Sequence, residues 1–250
     1  MLLPIFVFVL VPATLAGDSD TLLHALEFGK TVEDYISFET ELTSLSEFSV
    51  CAWIKRLHTA VYPTVFNYYS SPDEIMIGSN GGLNYVDGDN VKLQSKFPGQ
   101  SVWFHYCLTW AVSGGLTVYL DGQNVGNCTT PERKLAPAGH IVMGKYAKSS
   151  SADFVFGGQL HKFNLYSEQL KPSEVEKMFT SGLCSAVEVE EYGDTRVLKW
   201  EDVLLETRYG RVEDRTVSGS ECVMSNLMGR INKMQSRIKQ TINIWSDLDL

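Results

Sequence analysis

The chain has 250 residues, of which 44% are hydrophobic, 20% charged and 11% aromatic. That composition supports a sizeable core and excludes a disordered chain, a collagen-like repeat and a cysteine-dense miniprotein. Its 30 acidic residues against 21 basic ones give a net charge of −9, which argues against a nucleic-acid partner held by an overall basic field.

The chain opens with an apolar stretch from Leu2 to Val11 and then Thr14-Leu15-Ala16. Small residues three places and one place before the cut, Thr14 and Ala16, predict signal-peptidase cleavage after Ala16. The apolar run is about half of the roughly 20 residues a helix needs to cross a bilayer. Residues 1–16 therefore read as a removable signal peptide and the remainder as a secreted chain. The five cysteines, Cys51, Cys107, Cys128, Cys184 and Cys222, then meet an oxidising compartment, where pairing is the default. None is spaced as CxxC, and the odd count leaves one for a partner chain or as a free thiol. Asn127-Cys128-Thr129 is an N-glycosylation sequon, which predicts Asn127 on a surface loop.

From about Thr31 to Phe163, short strands alternate with turn residues. Phe48, Val50, Ala52 and Ile54 alternate with Ser49, Cys51, Trp53 and Lys55, the period of two of a strand. Ile75 and Ile77 mark another. Leu116, Val118 and Leu120 alternate with Thr117 and Tyr119 and run into the turn pair Asp121-Gly122. Short strands at this spacing, with no helical crossovers, predict an all-β, two-sheet antiparallel sandwich. One short helix follows: Ser173 and Glu176 predict a capping box, Val175, Met178 and Phe179 an apolar face, and Gly182 the stop. In the tail, Met224, Leu227, Ile231, Met234, Ile238, Thr241, Trp245 and Leu248 recur at alternating steps of three and four. They predict an amphipathic helix over 221–248 with an a/d heptad seam. Arg230, Lys233, Arg237 and Lys239 lie off that seam.

His105-Tyr106-Cys107-Leu108-Thr109-Trp110 resembles the H-x-C-x-[ST]-W signature of the pentraxin family, with His105, Cys107, Thr109 and Trp110 at its fixed positions. Upstream, Leu45 to Cys51 is similar to the family strand that carries the partner cysteine. Val65-Phe66-Asn67-Tyr68, Asp73-Glu74-Ile75, Tyr119-Leu120-Asp121-Gly122 and Leu198-Lys199-Trp200 with Gly210-Arg211-Val212 are similar to later landmarks. The resemblance covers residues 24–213. It implies a laminin-G- or concanavalin-like jelly roll, a bond between Cys51 and Cys107, and assembly into cyclic oligomers, often fivefold. For the remaining cysteines, Cys128 with Cys184 is the first pairing weighed, and Cys184 with Cys222 competes with it. Cys222, just ahead of the heptads, is the candidate for an interchain bond.

The resemblance also implies calcium, held by carboxylates and amides on one face and itself holding an anionic headgroup or a sugar. The matching positions offer Asp73 and Asp153 as ligands. Pro72 precedes the first, Tyr146-Ala147-Lys148 fills a segment that is acidic in calcium-binding members, and Gly78 replaces the aromatic of the choline pocket. Calcium takes six to eight oxygens, so Asp73 and Glu74 read as solvated loop carboxylates. His105 reads as a structural hydrogen-bonding residue and Glu188-Val189-Glu190-Glu191 as a solvated loop. The chain has no G-x-S-x-G, H-E-x-x-H or phosphate-cradling glycine loop; no catalytic residue is assigned and no enzyme is expected.

The expected function is a secreted recognition protein whose single sites for glycans or anionic surface groups act together in a homo-oligomer. The alternatives are an extracellular matrix adhesion protein, using the same sandwich as a metal-independent protein-binding module, and a membrane-active protein. Three readings compete for the tail: a coiled coil locked through Cys222, a basic helix lying on anionic membrane with Trp245 at the interface, and an arm packed on its own sandwich.

Overall fold

The computed structural model describes residues 24–70, 97–113, 115–129, 134–185 and 195–227, the backbone of strands at 77–80, 83–85 and 93–94, and helical positions 230, 231, 234, 235 and 238. The signal segment 1–16, Asp73 and Glu74, the acidic cluster at 188–191 and the heptad positions beyond 238 lie outside the described residues.

In chain order the strands are β1 (His24–Phe28), β2 (Tyr35–Glu39), β3 (Glu47–Arg56), β4 (Thr64–Tyr69), β5 (Ile77–Asn80), β6 (Leu83–Tyr85) and β7 (Leu93–Gln94). They continue with β8 (Trp103–Ala111), β9 (Gly115–Leu120), β10 (Gln123–Cys128), β11 (His140–Met143), β12 (Gly158–Tyr166), β13 (Arg196–Leu198), β14 (Arg208–Tyr209) and β15 (Val212–Thr216). Helix α1 spans Pro172–Ser181 and α2 spans Trp200–Val203, and a third helix, α3, starts at 219. The first sheet runs β10-β9-β8-β3-β12-β1-β15, with β13 on β12; the second runs β14-β2-β11-β4-β5-β6-β7. The described pairs are antiparallel, and the chain is the all-β two-sheet jelly-roll sandwich that its strand pattern predicts.

The register of β3 on β8 shows how the layers form. Phe48, Val50, Ala52 and Ile54 stand opposite Trp110, Leu108, Tyr106 and Phe104, and all eight face the core between the sheets. The alternate set does not face water. Cys51 and Cys107 stand opposite one another beneath Val175 and Met178 of α1, and Trp53 and Trp103 pack with Phe179. Burying each such side chain contributes about 2 kcal/mol, so α1 acts as a third layer on the first sheet. The bond between Cys51 and Cys107, with Cα atoms 4.2 Å apart, joins neighbouring strands within that sheet.

Three local readings are revised. Helix α1 starts earlier than Ser173 predicts, with Lys171 at its cap and Pro172 in the first turn, where a missing N–H costs nothing. Glu174, not Glu176, closes the turn by accepting the Lys171 N–H at 2.7 Å. The second disulfide is Cys184–Cys222, not Cys128 with Cys184. The cause is which face each cysteine occupies. Cys128 packs against the core between the sheets, whereas Cys184 and Cys222 lie in the outer layer with Phe179. Cys222 is thereby committed within the chain, and Cys128 is the unpaired fifth cysteine. Asn127 lies on β10 rather than on a loop, at the edge of the first sheet and exposed to solvent.

Candidate ligand-binding face

The outer surface of the second sheet carries the most chemically distinctive group of side chains. Strand alternation sends Ile36, Phe38, Ile141, Met143, Phe66 and Tyr68 into the core. Tyr35, Ser37, Asn67, Tyr69, His140 and Val142 are left on the opposite surface. The segment leaving β11 folds back across it. Gly144 makes that turn at φ 96°, and a Cβ there would lie 2.6 Å from the Phe28 ring and 2.8 Å from the Asp34 carbonyl, so glycine is required. Asn67, buried under the segment, holds it with both ends of its amide. Its Nδ2 donates to the Lys145 carbonyl at 3.2 Å, and its Oδ1 accepts the Ala147 N–H at 3.3 Å.

Asp34 fixes the neighbouring hairpin. Its carboxylate accepts the Thr31 N–H and hydroxyl, each at 2.8 Å, and the Arg211 N–H at 2.6 Å. Burial pushes this carboxyl up, but the Arg211 and Thr31 donors outweigh it and hold it below its ordinary value. Since Arg211 follows Tyr209-Gly210, the bond presses β14 onto β2, and Tyr209 stacks on Tyr35 with ring centroids 4.6 Å apart. The Lys145 Nζ stands 3.5 Å from the Tyr35 centroid, within cation–π range. Further along the same segment, Phe154 stacks on Tyr62 at 5.6 Å and lies 5.4 Å from Tyr146. Tyr209 and Tyr62 are 42% and 43% exposed. Beyond them, Tyr69 stacks on His140 at 5.2 Å. Tyrosine offers a ligand both an apolar face and a hydroxyl, and an ammonium donates up to three hydrogen bonds to an anionic group.

Among the described residues this surface assembles no calcium cage. Between Gly144 and Gly157 the one carboxylate is Asp153, against the ammonium groups of Lys145 and Lys148. Asp153 is exposed on a single 3₁₀ turn and accepts the Ser151 hydroxyl at 3.2 Å. Asn67 has spent its amide on the backbone. Asp73 lies outside the described residues, and of the expected pair Asp153 alone is among them, well short of the six to eight oxygens that calcium takes.

The other singled-out residues lie elsewhere. His105, Cys107, Thr109 and Trp110 occupy β8 and are buried in the first sheet. The His105 Nε2 is 3.8 Å from the Cys107 Sγ; both sulfurs of that cluster are consumed in the Cys51–Cys107 bond, so it is not a metal centre. The His105 ring packs on Trp53 and Phe179, its Nδ1 has no hydrogen-bond partner, and its backbone bonds to Asp121 from both groups: the N–H donates to Asp121 Oδ1 at 2.9 Å and the carbonyl accepts the Asp121 N–H at 2.8 Å. Asp34, Asn67, Gly144 and Lys145 were not singled out from sequence as functional positions. The Tyr146 to Lys148 match falls on this same segment, but only as a place where acids are missing.

A two-sheet sandwich with a loop-covered outer face defines a lectin-type binding fold. Residues 29–176 match the family described as the Concanavalin A-like lectin/glucanases superfamily, and the chain belongs to it. Within that superfamily the sandwich is a pentraxin-like domain. Neuronal pentraxin-2 of Cavia porcellus is 24% identical over 174 residues, covering 65% of this chain and 41% of the relative. Neuronal pentraxin-1 of Homo sapiens is 26% identical over 157 residues, covering 58% and 36%. The chain thus spans about two fifths of these relatives' length. Among solved structures, the heptameric SAP-like pentraxin from Limulus polyphemus superposes with a TM-score of 0.64 at 16% identity, covering 82% of this chain and 99% of that one. A proposed carbohydrate-binding protein from Bacteroides ovatus superposes with a TM-score of 0.56 at 13% identity, covering 79% and 61%. Both likenesses concern the fold.

Proposed function

We propose that this is a secreted, non-enzymatic recognition protein that binds acidic glycans without calcium, on the surface formed by Tyr209, Tyr35 and Lys145. The observation that carries this reading is the Lys145 ammonium seated on a stacked tyrosine pair, in a segment with too few carboxylates for the ion. The pentraxin-like domain supports a lectin-like role, and the Bacteroides neighbour is itself described by carbohydrate binding. Secretion is supported by the leader pattern at 1–16 and by two disulfides. Among the described residues no helix is long and apolar enough to cross a membrane. Assembly of several copies, each with a weak site, completes the reading.

Calorimetry with sulfated and neutral oligosaccharides, in calcium and in chelator, tests it. The expected result is binding of the sulfated probe that chelator leaves intact. Lys145→Ala and Tyr209→Ala should each weaken it roughly tenfold, the range of a lost cation or aromatic contact. Binding seen only with calcium, or unchanged in both variants, would falsify the proposal. Silence towards every glycan, with retention on matrix proteins, would favour the adhesion-module reading instead.

A further inference from the structure

Among the described residues, helix α3 meets the first sheet along one side. Ser218 and Glu221 form a capping box: the Glu221 carboxylate accepts the Ser218 N–H at 2.9 Å, and the Ser218 hydroxyl accepts the Glu221 N–H at 3.3 Å. Glu221 also accepts Lys55 Nζ at 2.6 Å and Trp103 Nε1 at 3.2 Å. Cys222 is bonded to Cys184, and Ser225 is buried. At 100° per residue, positions 221, 222 and 225 share one side of the helix. The heptad positions 224, 227, 231, 234 and 238 fall on the far side, and there Met224, Leu227, Ile231, Met234 and Ile238 are 38% to 62% exposed. Five large apolar side chains in one stripe form an unusual surface for an isolated chain. The fixed inner side keeps the root of the stripe from turning inward.

What covers the stripe is written in its neighbours. With Met224, Ile231 and Ile238 at a, and Leu227 and Met234 at d, the g positions are Arg230 and Arg237 and the following e positions are Gln235 and Ile242. In a parallel pair each arginine meets a neutral residue of the other chain. In an antiparallel pair the two g rows face each other, which sets arginine against arginine. Isoleucine at the central a positions, with Leu227 and Met234, both unbranched at Cβ, at d, is close to the combination of β-branched a and leucine d residues that favours two strands. We propose that the stripe docks on the same stripe of a second copy of this chain, parallel and in register, forming a non-covalent dimer. The proposal deepens the assembly part of the function above and does not depend on the ligand.

The test uses the mature full-length protein carrying Cys128→Ser, which removes the unpaired thiol. Light scattering is expected to give twice the chain mass. The double variant Ile231→Asp and Ile238→Asp should give the monomer mass with both disulfides and the sheet circular-dichroism signal retained. Met234→Cys, under mild oxidation, should give a cross-linked dimer on a non-reducing gel, because a d residue meets its own copy only in the parallel arrangement. A monomer without the aspartates, a mass that the aspartates leave unchanged, or no cross-link through position 234 each overturns the proposal. The aspartate variant's affinity for the sulfated probe in solution reports separately on the ligand reading.

Discussion

His105 and His161 lie in the layer beneath α1, and both are neutral in the folded protein. Burial, reinforced by the Lys162 charge, pushes His105 down to about 3. Burial also dominates for His161, at about 4, although the ring's bond to the His24 carbonyl at 2.8 Å opposes it. Unfolded, each titrates near 6.5. The unfolded chain therefore takes up these protons first. Stability is complete above about pH 6.5 and falls as pH drops towards 4, by about 1.4 kcal/mol per pH unit for each ring. Asp34 and Glu221 act in a lower window. Their carboxyls are depressed, Glu221 to about 2, so their contribution persists until pH falls below about 4. His105→Phe keeps the packing on Trp53 and removes the unpartnered Nδ1. Urea unfolding should show it nearly unchanged at pH 7 but with about half the wild-type pH slope between roughly 6 and 4.5; an equal slope would refute the assignment. Sequence places His105 in its strand, yet does not show that its Nδ1 is left unpartnered, which depends on what α1 covers. Asp34 and Asn67 were illegible for a related reason: they act on backbone 177 and 80 residues away.

At the level of elements, the α3 root concentrates several contacts on one carboxylate. Removing it with Glu221→Ala forfeits the cap and leaves the largely buried Lys55 without its partner, at a local cost of about 2 kcal/mol. Amide exchange at 223–227 should then accelerate roughly thirtyfold, while β3 and β8 keep wild-type protection. Unchanged rates at the root would show that the Cys184–Cys222 bond alone holds the helix. The same Ser-x-x-Glu spacing stands near the head of both α1 and α3, at 173–176 and at 218–221. The first misleads, because Pro172 suits the first helical turn and moves the start back. The second is the box the structure uses. The alternation at 48–55 was fully legible as a strand. That its second face is also buried was not, because the residues that cover it come more than a hundred positions later.

For the whole molecule, the proposed tail pairing would decide how single sites combine. A parallel pair rooted on its sandwiches would carry both at the same end of the assembly, which would let the two proposed sites meet one coated surface. On immobilised sulfated glycan, the dimer should bind about 10²-fold or more tightly than the Ile231→Asp, Ile238→Asp monomer, with equal affinity for the soluble probe. Equal retention on the surface would show that the two sites cannot engage together. The spacing of the apolar positions from Met224 to Ile238 is legible in the sequence. Which side of the helix is occupied needed the structure, which also removes Cys222 from interchain use. The Cys184–Cys222 link has one more consequence. It encloses β13, α2, β14 and β15 in a 38-residue span. A single protease nick within that span cannot release the C-terminal segment, so a clipped molecule would still migrate as one species until thiol reductant is added.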